Sequence, residues 1–196
     1  MENLISKIAF ISYLSIAGLL LIPCVNLTYQ IYEWLKQGNR LGINVTDSER
    51  LGFYRCSPLL AKPKLNEMIG FVLPSIQWIR KRHYLHDDQL LIKHVGAVPG
   101  EYLFTQKNKI YACKNKNYSA DCRMLGECLL SDHKGRSLAC AKWQAYQIPE
   151  NNYYLKATRD PYSLDSRYFG LIPLSNIKYR AFWLFPFPFI YSGDEQ

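Results

Sequence analysis

The sequence is short of the marks that identify common hydrolases and nucleic-acid readers. No G-x-S-x-G stretch occurs, which removes the strand–turn–helix nucleophile elbow of the α/β-hydrolases. Histidine is scarce: His83, His86, His94 and His133 are the four, and none has neighbours diagnostic of a Ser-His-Asp triad. Zinc-finger spacing, a long basic helix and a repeated aromatic–basic module are all missing. The net charge of +8 therefore does not by itself indicate nucleic acid. A basic juxtamembrane surface suits that charge better. No cofactor motif and no internal repeat is read.

Cysteine spacing argues against a metal. Steps of nine, six and twelve residues run from Cys113 through Cys122 and Cys128 to Cys140, without the two short pairs of a four-cysteine zinc site. One or two disulfides in an oxidising compartment fit better, with the connectivity left open. Reduced, buried thiols are the plainer alternative.

Charge is absent from Ile8 to Tyr32, and Pro23 is that run's only proline. About twenty residues cross a hydrocarbon core, so Ile8 to about Leu27 is long enough for a membrane helix. Tyr29, Tyr32 and Trp34 suit an interfacial belt. A buried helix or a cleaved signal peptide would also give such a run, but Ile22-Pro23-Cys24 lacks a small-x-small cleavage site. Residues 1–32 are expected to be a retained N-terminal anchor. Lys7 lies on one side, Lys36 and Arg40 on the other, so charge counting leaves the orientation open.

Aromatics at 14% and hydrophobics at 48% place the rest among folded chains. Residues 33–43 read as a polar connection with Gly38 and Gly42 as breakers, and Asn44–Arg55 as loop or edge strand. Short strands are expected at Met68–Leu73, Gln89–Val98, Ala145–Ile148, Asn152–Lys156 and within Ile172–Phe182. Tyr102–Thr105 and Lys109–Ala112 read as a hairpin, and Asp87-Asp88 as a turn. Residues 113–142 look like a cysteine-bearing insertion, and 157–170 like a loop. Trp183–Ile190 is apolar but too short and proline-broken to span a membrane. Residues 33–196 are thus expected to form a mainly β, antiparallel domain.

Two residue types carry candidate chemistry. A serine hydroxyl is a weak nucleophile without a base, and Ser48 sits in a polar segment. Lys93 lies in the apolar, β-branched run L90-L-I-K-H-V-G-A-V98. Burial there would disfavour its charged form and free the amine to act as a base. A snorkelling or solvent-facing lysine is the other reading.

Three stretches in order, T46-D-S-E-R-L-G-F-Y54, I92-K-H-V-G-A-V-P-G-E101 and S163-L-D-S-R-Y-F-G170, resemble the type I signal peptidases. The likeness is strongest to their conjugative-transfer branch, the TraF-type pilin-maturation peptidases. G135-R-S-L138 ahead of Trp143, and the apolar N-terminus, fit that branch too. The resemblance implies a signal-peptidase-like antiparallel β domain with an N-terminal transmembrane helix. It implies Ser48 as nucleophile, Lys93 as general base, and the Thr46 hydroxyl with the Ser48 N–H as oxyanion hole. It further implies Ser163 as the residue orienting the lysine, Asp165 and Arg167 as a supporting pair, and Gly170 as a close-approach glycine. The implied place is the inner membrane, single-pass, with residues 33–196 in the periplasm. The implied partners are a membrane-inserted pilin or preprotein substrate, inner-membrane lipid and components of a conjugation apparatus, with no nucleic acid. General signal peptide removal is an alternative, as is a catalytically inactive scaffold of a secretion complex.

The chain departs from the family pattern just after the serine. Glu49 stands where the family has an apolar residue, and Arg50 where it has proline. A carboxylate near Lys93 would favour the charged amine and weaken the base.

Overall fold

Short antiparallel strands organise the chain beyond residue 39. The computed structural model describes residues 21–85 and 89–187. Most of the expected anchor, the Asp87-Asp88 turn and the end of Trp183–Ile190 lie outside them. The chain divides into two units, 1–39 and 40–196. In the first, residues 21–36 are helical (α1), with Leu21, Ile22 and Val25 exposed. No helix among the described residues is long and apolar enough to cross a membrane.

The second unit holds two antiparallel sheets. The larger has seven strands: β1 (Arg40–Asn44), β2 (Gly52–Pro58), β3 (Met68–Val72), β4 (Leu90–Ala97), β9 (Asn152–Lys156), β10 (Ile172–Pro173) and β11 (Ile177–Phe185). Their order is β1-β2-β11-β3-β4-β9-β10. The smaller, ordered β7-β6-β5-β8, comprises β5 (Tyr102–Gln106), β6 (Lys109–Cys113), β7 (Arg123–Glu127) and β8 (Tyr146–Gln147). Short helices α2 (Gln77–Lys81) and α3 (Ser166–Phe169) fill connections. The mainly β antiparallel expectation is met.

Several boundaries differ from those read in the sequence. The polar connection at 33–43 ends in a strand, because Gly42 packs where a Cβ would lie 2.9 Å from Cys56 Sγ. Within the Asn44–Arg55 segment, Gly52 opens an interior strand, β2, flanked by β1 and β11. The 157–170 segment contains α3, capped by Asp165. The β5–β6 hairpin turns at Lys107 and Asn108, both at positive φ, as a tight two-residue turn requires. The 113–142 insertion contributes β7 and carries two disulfides, Cys113–Cys122 and Cys128–Cys140.

Leu91, Val95, Ile69, Phe71 and Leu155 pack on one face of the larger sheet, and Ile92 with Tyr54, Cys56 and Ala181 on the other. Gly52 fixes where β2 meets β11. Its φ is +133°, and a Cβ there would lie 2.3 Å from the Phe185 carbonyl oxygen. Gly52→Ala should therefore destabilise the domain by about 1–3 kcal/mol. Gly100 also has positive φ, but a Cβ there meets nothing. Gly100→Ala should cost less in a parallel denaturant titration; equal costs would contradict the steric argument.

Candidate active site

The serine-bearing loop follows β1 and is organised by Asn44. The Asn44 side-chain amide donates to the carbonyls of Thr46, Glu49 and Arg50 at 2.8, 3.1 and 3.1 Å. That fixes its Oδ1 as an acceptor, and the Thr46 hydroxyl donates to it at 2.9 Å. A hydroxyl has one proton. The 3.0 Å contact between Thr46 Oγ1 and Ser48 Oγ is then a hydrogen bond donated by Ser48. Thr46 must turn away from Asn44 before it can serve an oxyanion. Asn44 was not among the residues singled out in the sequence; the N-x-T spacing, which favours an Asx-type turn, was the available signal.

Lys93 is buried, only 4% exposed, so it neither snorkels nor faces solvent. It shares its parity on β4 with Leu91 and Val95, and pairs across to Ile69. Burial holds its amine below the ordinary lysine range, against the upward pull of Asp165 and Glu49. Ser48 and Lys93 are linked through their chain neighbours. Glu49 Oε1 lies 3.1 Å from His94 Nδ1, and Glu49 Oε2 accepts the Thr158 hydroxyl at 2.7 Å. The Thr158 N–H donates to the Ser48 carbonyl. Among the described residues, no hydrogen bond joins the Lys93 amine to Ser48 or Ser163.

Ser163 is buried; its carbonyl accepts from Arg167 Nη2 at 3.0 Å. Asp165 Oδ1 accepts from Arg167 Nε at 2.8 Å, and its Oδ2 from the Ala157 N–H at 3.0 Å. Arg167 Nη1 also donates to the carbonyls of Glu127 and Pro161. The pair thus joins β7 to the loop after β9. Gly170 differs from the expected close approach, since a Cβ there meets nothing within 4 Å. Its φ of +81° at the end of α3 is the reason for glycine. The close approach falls instead at Gly126, where a Cβ would lie 3.1 Å from Arg167 Cδ.

Two surface features adjoin the loop. His94 lines a cavity of about 330 Å³ with Met68, Phe182 and Trp183. Leu41, Ile43, Val45, Phe182, Leu184 and Phe185 form an exposed apolar rim along β1 and β11, Val45 being 70% exposed.

The domain is strand-rich, buries Lys93 on β4 and carries Ser48 on the loop between β1 and β2. The chain belongs to the signal peptidase family, peptidase S26, whose model matches residues 4–185. That membership implies serine endopeptidase activity on a preprotein substrate at a membrane. No curated protein matches the chain. Among solved structures it is similar to a signal peptidase I from Enterococcus faecalis, at 20% identity and a TM-score of 0.38, over 62% of this chain and 98% of that one.

Proposed function

We propose that this chain is a membrane-anchored Ser–Lys endopeptidase that processes a membrane-inserted pilin precursor for conjugative transfer. The observation that carries the Ser–Lys assignment is Lys93. Its amine is buried in β4 and held below the ordinary lysine range by that burial, on the strand whose His94 meets Glu49 of the Ser48 loop. The pilin substrate, the periplasmic setting and the inner-membrane anchor rest on the motif resemblance. The exposed apolar rim supports a domain that works against lipid.

Ser48 first turns its proton from Thr46 Oγ1 toward Lys93, and the neutral amine takes it as Oγ attacks the scissile carbonyl. The Thr46 hydroxyl, turned from Asn44, and the Ser48 N–H hold the oxyanion; one such donor is worth about 3–4 kcal/mol. The protonated lysine then gives its proton to the leaving amine. Water, deprotonated by Lys93, releases the acyl group. The substrate's own terminal amine can take water's place and close a cyclic product.

Reconstituted protein incubated with a pilin precursor, and read by intact mass, tests this. Wild type should give product and Ser48→Ala none. A peptide pair gaining one water marks hydrolysis, and a species one water lighter than its linear form marks cyclisation. Unchanged processing by folded Ser48→Ala would sink the assignment. Cleavage of a general preprotein but not the pilin would leave the peptidase and overturn the pilin substrate.

A further inference from the structure

Glu49 is, with Arg50, one of two residues at which this chain departs from the family pattern, and it is 2% exposed. A buried carboxylate is costly unless its oxygens are satisfied. Here each oxygen has a partner on a different element. Oε1 meets His94 on β4, and Oε2 accepts from Thr158 just past β9. The Glu49 carbonyl accepts from Asn44, and the Thr158 N–H reaches the Ser48 carbonyl. One side chain therefore ties the loop bearing Ser48 both to the strand bearing Lys93 and to the segment leading to Asp165.

We infer that Glu49 is a positioning residue that fixes Ser48 against the Lys93 strand, doing by hydrogen bonding what an apolar neighbour does by packing. The inference rests on Ser48 being the nucleophile. The arrangement also has an electrostatic consequence. Lys93 faces Asp165, Glu49 and Asp160, which favour its charged form, and Arg167, which opposes it. Around Glu49 stand His94, Lys93, Lys156, Tyr54 and, through Tyr54's surroundings, Arg50 and Arg159. Removing the Glu49 charge while keeping its shape should ease deprotonation of Lys93.

The test is Ser48 acylation by p-nitrophenyl acetate on the full chain, followed by intact mass across pH, with melting temperatures alongside. Glu49→Ala should slow acylation by about 100-fold, the scale of a small misplacement of reacting groups. Thr158→Val removes one neutral donor to a charged acceptor and should slow it about tenfold without moving the acid limb. Glu49→Gln should recover most of the rate and shift the acid limb to lower pH. Glu49→Ala acylating at the wild-type rate with an unmoved limb would overturn the inference. So would a Glu49→Gln limb displaced to higher pH. Acylation persisting in Ser48→Ala would instead show that the nucleophile is wrong, and the inference would fall with it.

Discussion

Lys93→Met should slow processing by about 10²–10⁴-fold, the range a general base contributes. The variant should not melt earlier than wild type. Burial first, opposed by Asp165 and Glu49, holds the Lys93 amine below the ordinary lysine range. Two consequences share that cause. In the proposed mechanism the base works only when neutral, so the wild-type rate should rise with pH through the depressed folded-state value and then level. Stability follows the same titration. Between the folded and unfolded values the unfolded chain binds more protons, so stability rises with pH there. Below the folded value the lysine is charged in both states and its full cost to folding is present. Methionine carries no such cost. The variant's advantage in melting temperature should therefore be largest on the acid side and vanish as pH rises through the unfolded lysine range. A Met variant with wild-type activity, or one whose melting curve tracks wild type at every pH, would contradict the buried-base account.

What the sequence made legible depended on how local the cause was. The run around Lys93 reads as a strand because its apolar and β-branched neighbours are contiguous, and β4 spans Leu90–Ala97 as one element. The β5–β6 hairpin is likewise written in adjacent residues. Gly42 misleads because glycine usually interrupts a pattern, whereas here Cys56 on the paired strand β2 leaves no room for a Cβ. A five-residue helix such as α2 gives too short a periodicity to detect. The disulfide pairing was open for the same reason, being set by the fold of the insertion and not by spacing. Glu49 is the clearest case. Its partner Thr158 is 109 residues away, so in the sequence it reads as a mismatch beside the serine that would weaken the base, not as a tie between elements. In the fold it is a satisfied, buried junction. Ser48, Lys93, Asp165 and Arg167 were nameable through the resemblance, yet nothing local says that Arg167 reaches three carbonyls.

Arg167→Met should be among the most destabilising single changes, at about 3–5 kcal/mol, because it strands a buried carboxylate. The Asp165 and Arg167 side chains are 1% and 6% exposed and meet at 2.8 Å. Loss of the guanidinium also leaves the carbonyls of Glu127, Pro161 and Ser163 without that donor. The arginine's backbone is held as well, its carbonyl accepting from the Ala141 N–H beside the Cys128–Cys140 bridge. Asp165→Asn should also destabilise, since the carboxylate caps α3 and accepts from Ala157. Denaturant titration of both variants and the double variant should give a double change smaller than the sum, as for groups in one network. Stability alone would not separate a scaffold pair from one that tunes the base; the pH–rate profile of the folded protein would. Arg167 pushes the Lys93 amine toward its neutral form and Asp165 toward its charged form. Arg167→Met should therefore move the acid limb to higher pH, and Asp165→Asn to lower pH. Opposite shifts from two variants that are both destabilised cannot come from loosening alone. Shifts of the same sign would confine the pair to structural support.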